Sequence, residues 1–191
     1  MLKNKLKSIS QGILLTGLAL QTGLAYSAVK SDRHTVNRAE LEASLGAFNK
    51  NEVDVTVRIP AKQAYGFDDK AVTPEQKSQV DTVVDTLKKN ISHIVTVRDT
   101  TDCTYDVSNI NPYDDLTEKR TIKNGGKNEE VKAKYWVLKA EVSVKCGEDL
   151  RGKVLAYDFS PDFKNVKNVL VDLSASEKRS FLAKPTGSFS L

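Results

Sequence analysis

The chain has 191 residues, 39% of them hydrophobic, with 29 basic residues, 25 acidic residues and two cysteines. An N-terminal leader holds three of the basic residues and no acidic one, which leaves the rest nearly balanced, at 26 against 25. That balance excludes the clustered excess of Lys and Arg on which nucleic-acid binding depends, and the length supports a core that needs no dense set of disulfides.

Lys3, Lys5 and Lys7 precede a short apolar run, Ile13 to Leu20, and Leu24-Ala25-Tyr26-Ser27-Ala28 offers cleavage after Ser27 or after Ala28. This is the layout of a secretory signal peptide. A membrane anchor would need roughly 20 apolar residues, and Gln21 and Thr22 interrupt this run. The expectation is a signal peptide over residues 1–27 and a single secreted domain over 28–191, with no membrane insertion once the leader is removed. No cysteine lies near the cleavage site, which argues against a lipid anchor.

Thr35 to Leu45 reads as a strand, with Ala39, Leu41, Ala43 and Leu45 alternating with polar residues. Glu52 to Ile59 is a cleaner one: Val53, Val55, Val57 and Ile59 face in, and Asp54, Thr56 and Arg58 face out. The short polar turn between them predicts an antiparallel hairpin. Pro60 has no amide hydrogen to continue the ladder. A connection over residues 60–72 carries Tyr65-Gly66-Phe67.

A helix then opens with Thr73 as N-cap, Pro74 in the first turn and Gln76 completing a capping box. Val80, Val83, Val84 and Leu87 form one apolar stripe. Asn90 is expected to stop the helix, and Ile91 to Val97 to form a strand, with His93 as a structural or surface residue.

Cys103, Tyr105 and Val107 alternate in a further short strand. Asn111 to Lys132 reads as a long polar loop, and loops of that length are usually functional or disordered. Tyr135 to Cys146 is the longest alternating stretch, with Trp136, Leu138, Ala140, Val142, Val144 and Cys146 on one side. Gly147 to Tyr157 reads as a short helix with Leu150, Val154 and Tyr157 inward, and Val166 to Leu173 with Phe181 to Ala183 as a final hairpin. The order β-β-α-β-β-α-β-β predicts an α+β fold, an antiparallel sheet of about six to eight strands with two helices packed on one face.

Both cysteines end or begin an inward-facing run, and export favours an oxidised pair. A Cys103–Cys146 disulfide is expected. A metal-binding or catalytic thiol pair is the alternative, with neither C-x-x-C nor a neighbouring His to support it. Catalytic signatures are absent: no glycine-rich phosphate loop, no H-E-x-x-H, no calcium-loop spacing and no nucleophile elbow. The expectation is a protein without enzymatic activity and without catalytic residues. The acidic pairs Asp68-Asp69 and Asp114-Asp115 read as solvated surface.

Several short motifs, in this order, resemble a periplasmic protein family of Gram-negative bacteria linked to zinc uptake, the zinc-regulated ZrgA type. The family's opening H-x-H-G-x-A-E-L corresponds to His34-Thr35-Val36-Asn37-Arg38-Ala39-Glu40-Leu41. Its P-A, gap and G-F-E-H correspond to Pro60-Ala61 and Gly66-Phe67-Asp68-Asp69, followed by a helix opening at Thr73. The spaced cysteines and the segment Phe159-Ser160-Pro161-Asp162-Phe163 also match.

The resemblance implies a periplasmic accessory protein of metal homeostasis, working with a metal transporter or another envelope protein. Three ligand positions have changed, however. Val36 and Asp69 stand where the family has His, and Asn111 to Lys132 contains no His where the family is often His-rich. Zinc prefers imidazole and thiolate. The chain offers His34, His93 and Asp69 or Asp68 as ligands, with His34 and Asp69 the candidates for a site, so zinc is expected to bind weakly. An envelope interaction module that keeps the scaffold without the metal is the alternative.

Overall fold

The computed structural model describes residues 38–46, 49–124, 127–174 and 178–191, without the side chains of 118–124, 127–129, 131 and 133. The expected signal peptide, its cleavage site at Ser27 or Ala28, and His34 all lie outside the described residues.

Strands β1 (Ala39–Leu45) and β2 (Glu52–Pro60) form the expected antiparallel hairpin, with Leu41 opposite Val57 and Ala43 opposite Val55. One face of each strand is sealed: Ala39, Leu41, Ala43, Val53, Val55, Val57 and Ile59 are all buried. Strand β5 (Lys127–Lys145) lies along β2 and continues that face with Leu138, Ala140, Val142 and Val144. β4 (Thr104–Asn124) flanks β5, while β7 (Val169–Ser174) and β8 (Lys178–Ala183) complete the far side. The sheet order is β4-β5-β2-β1-β7-β8.

This sheet is mixed, not antiparallel as expected, because β7 runs parallel to β1, with Leu41 beside Val171. The two strands are far apart in sequence, so the chain has ample length for the crossover a parallel pair requires. The final hairpin is present as β7 and β8. A second, antiparallel sheet contains β3 (Val95–Arg98), β6 (Val154–Asp158) and β9 (Thr186–Ser190), in the order β3-β6-β9. One contiguous core joins both sheets to the helices, with Leu87, Ile94, Leu155, Phe159 and Val171 among its members.

Helix α1 (Ala61–Tyr65) is a single turn that ends at Gly66, whose φ of 86° is the left-handed value glycine adopts without strain. Helix α2 (Pro74–Ile94) starts where expected. The Thr73 side chain accepts from the Gln76 backbone N–H, and the Gln76 side chain accepts from the Thr73 N–H. The helix does not stop at Asn90, and Ile91 to Ile94 is helical rather than strand. Leu87, Ile91 and Ile94 extend the apolar stripe by another turn, and Asn90 donates to Asp162 Oδ1 instead of capping. Strand conformation begins only at Val95.

Two further expectations change. Asn111 to Lys132 is no loop: it is the far half of the β4–β5 hairpin, paired in register from Asp114 opposite Val137 to Asn124 opposite Lys127. β2 leaves β5 at Val137, so beyond that point the hairpin is a two-stranded arm outside the rest of the sheet. A ribbon that has left the sheet no longer shares its apolar face, and its residues do not alternate in polarity, which is why its sequence reads as loop. Gly147 to Tyr157 is a turn followed by β6, not a helix. Gly152 takes a φ of 79°, Asp149 accepts from the backbone N–H and guanidinium of Arg151, and Leu155, Ala156 and Tyr157 are all buried. A strand covered on both faces also lacks period-two polarity.

Cys103 and Cys146 lie just outside the β4–β5 pair Thr104 and Lys145, and form a disulfide with a Cα separation of 4.0 Å. Thiol counting on the unreduced, denatured protein should find no free cysteine, and two free thiols would contradict the bridge. The replacement Thr73→Ala should lower stability by about 1 kcal/mol through loss of the cap, read from the denaturation midpoint; an unchanged midpoint would show that the cap carries no weight.

Candidate functional site

The buried face of the six-stranded sheet is apolar, and its other face is charged. Alternation makes this unavoidable: where Ala39, Leu41 and Ala43 point in, Glu40 and Glu42 point out. Cross-strand register then sets charged residues side by side. Glu40 lies opposite Arg58, and Glu42 lies between Thr56 on β2 and Asp172 on β7. The Arg58 Nη1 atom is 3.3 Å from Glu42 Oε2 and 3.9 Å from Glu40 Oε2. Arg58 and Glu40 keep only 23% and 14% of their side-chain surface in water, so this pairing is screened less than an ordinary surface bridge.

Glu40, Glu42, Arg58, Asp114, Leu116, Asp172, Ser174 and Lys178 line a hollow of about 340 Å³ on this face. These residues come from β1, β2, β4, β7 and β8, and β4 and β8 are the two opposite edges of the sheet. The sheet therefore curls until its edges border one concavity. A register shift between Asn111 and Asp114 bends β4 at that point, as bulges do. Asn111 fixes the bend: its Oδ1 accepts from the Tyr113 N–H at 3.0 Å, and its Nδ2 donates to Asp114 Oδ1 at 3.2 Å. Asp114 is thereby held toward the hollow. Further along the open face, Lys139 Nζ is 2.6 Å from Glu141. The hydrogen bond from Lys139, helped by one from Asn109, holds the Glu141 carboxyl below its usual range.

The same bend is braced from the other side by aromatic rings. The Tyr65 hydroxyl donates to the Pro112 carbonyl at 3.0 Å, and the Tyr113 hydroxyl accepts from the Ala71 N–H at 3.0 Å. Tyr65 packs on Phe67 and Tyr113, with centroids 5.7 and 6.0 Å away, and Tyr113 meets Trp136 edge-on at 6.5 Å. Burial pushes the Tyr65 hydroxyl well above its ordinary pKa, so it stays protonated and able to donate. Lys70 and Lys134 lie over Trp136, 4.3 and 4.7 Å from its centroid, within cation–π range. Lys134 is also 2.6 Å from Asp115.

Residues 33–187 match the family model described as ZrgA family zinc uptake protein. The chain belongs to the ZrgA zinc uptake family. A comparison with curated proteins gives no match.

Within this ZrgA chain the expected ligand residues do not assemble among the described residues. Asp69 is exposed on the turn between α1 and α2, and Asp68 is 3.3 Å from Lys62. His93 is exposed in the last turn of α2. Both thiols are consumed by the disulfide. No three His, Cys, Asp or Glu side chains come together in a metal-ligating group among the described residues. The carboxylates of Glu40, Glu42 and Asp172 line one hollow with the Arg58 guanidinium, and a fixed positive charge there opposes a second cation. These residues do not fit a zinc centre, which calls for imidazole or thiolate donors.

Sequence reasoning placed Arg58 on an outward face and went no further. Glu40 stands in the family's opening motif, yet Asp172 and Lys178, which line the same hollow, lie in distant strands. Only the parallel pairing of β1 with β7 brings them together, and no pattern in the sequence signals it. Replacing Tyr65 with Phe should leave the Pro112 carbonyl without its donor, at a cost of about 1–3 kcal/mol. Amide exchange of Tyr113 should quicken in the variant; unchanged exchange and stability would mean the hydroxyl does not hold the bend.

Proposed function

We propose that this chain is an exported, non-enzymatic accessory protein of the zinc uptake family, acting in the periplasm, in which zinc capacity is reduced. The family match over residues 33–187 carries the reading. The secretory layout of the leader and the disulfide support export. Reduced capacity follows from the altered ligand positions, Val36 and Asp69 where relatives of this type carry His.

β1 begins at the end of the sheet where β2 finishes, since Glu40 pairs with Arg58. The turn Gly66-Phe67-Asp68-Asp69 departs from that same end after one helical turn. His34 precedes Arg38 by four residues, a span of at most about 14 Å of extended chain. One imidazole with one or two carboxylates leaves zinc largely hydrated and exchangeable, which suits passing cargo better than storing it.

The β4–β5 arm favours a second reading, an interaction module that docks on another envelope protein, a metal transporter included. Both arm edges beyond Val137 are without a neighbouring strand among the described residues, and open edges can pair with another chain.

Isothermal titration of the mature protein at neutral pH separates the two. The first reading expects weak zinc binding that fades as imidazole protonates below roughly pH 6.5. His34→Ala should remove most of it and His93→Ala little. No heat at all would favour the interaction module, and a stoichiometric submicromolar site would overturn the reduced capacity.

A further inference from the structure

The hollow on the open face holds charges that the protein itself does not use. Its lining has four carboxylates, Glu40, Glu42, Asp114 and Asp172, against two cations, Arg58 and Lys178. Arg58 is committed to Glu40 and Glu42. Asp172 is not: its Oδ1 accepts no hydrogen bond although it is shielded from water. Lys178, at the rim, makes no ion pair with any described residue.

Lys178 lies opposite Ser174, and Asp172 is two residues back along β7 on the same face. A long side chain can span such a diagonal of about 7–8 Å, as Arg58 does to reach Glu42, but Lys178 and Asp172 make no ion pair with each other. The gap suits a small molecule with an anionic group at one end and a cationic group at the other. A volume of about 340 Å³ falls within the small-ligand range.

The surplus of carboxylates selects further. An inorganic anion would meet more like charge than unlike. A bare metal ion would meet the Arg58 guanidinium. A directional, spread-out organic cation avoids both. We propose that this hollow binds a basic amino acid, its carboxylate against Lys178 and its cationic side chain against Asp172, Asp114 and Glu42. The site is independent of whether the chain handles zinc.

Calorimetric titration of the mature protein with L-arginine, and separately with agmatine, tests this; EDTA in the buffer removes zinc from the comparison. Agmatine keeps the guanidinium and lacks the carboxylate. Both should bind saturably, and Asp172→Asn should weaken both by about tenfold, the value of one charged hydrogen bond. Lys178→Ala should weaken L-arginine by about tenfold while changing agmatine less than about twofold. Lys178 is exposed, so that variant keeps its fold; if Asp172→Asn unfolds by circular dichroism, Asp114→Asn takes its place. No saturable heat with either ligand up to about 10 mM would overturn the proposal. So would an equal loss of both ligands in Lys178→Ala, or binding indifferent to every substitution.

Discussion

Leu41, Val57 and Ala140 stand side by side on β1, β2 and β5, and this alignment decides what every other side chain of the sheet does. Side chains alternate between faces, so a slip of one residue would put Glu40 and Arg58 into the core and Leu41 into water. Burying an unpaired carboxylate is costly enough to forbid that arrangement. The register is therefore pinned by the whole apolar face at once. The polar row of Glu42, Thr56 and Asp172 follows as its mirror image. The hollow and its ion pairs are in this sense a by-product of core packing, with β1 and β7 supplying the only parallel contact among the described strands.

How far the sequence reveals this fold depends on whether an element has one wet face and one dry. β2 and the inner half of β5 do, and their boundaries and facing residues are legible. So is the start of α2, because Thr73, Pro74 and Gln76 declare a cap by local chemistry alone. β6 is dry on both sides and the outer arm has left the sheet, so neither shows an alternation and neither reads as a strand. At Ile91 two patterns overlap. Ile91, His93, Val95 and Val97 alternate like a strand, while Leu87, Ile91 and Ile94 recur like a helix, and packing of α2 on the core decides for the helix. The disulfide was legible from parity. The hollow was not, because it depends on the crossover that sets β7 beside β1.

Family membership and local chemistry give different information here. The match covers residues 33–187, and the elements that carry its motifs are present: β1 with Glu40, the Pro60-Ala61 junction, the Gly66 turn and the capped α2. The donors that would make those motifs bind zinc firmly are what has changed. A scaffold stabilised by its apolar face does not depend on residues at a ligand position, so substitutions there leave the architecture standing.

The bridge between Cys103 and Cys146 closes the chain at the open end of the β4–β5 hairpin, beyond the pair Thr104 and Lys145. Everything in the arm therefore lies inside a covalent ring. A protease that cut one peptide bond of the arm would leave two polypeptides, and Cys103–Cys146 would still join them. Each would keep its share of the apolar face, with β2 pairing with β5 across the cut. The particle would survive as a two-chain molecule that comes apart only under combined reduction and unfolding.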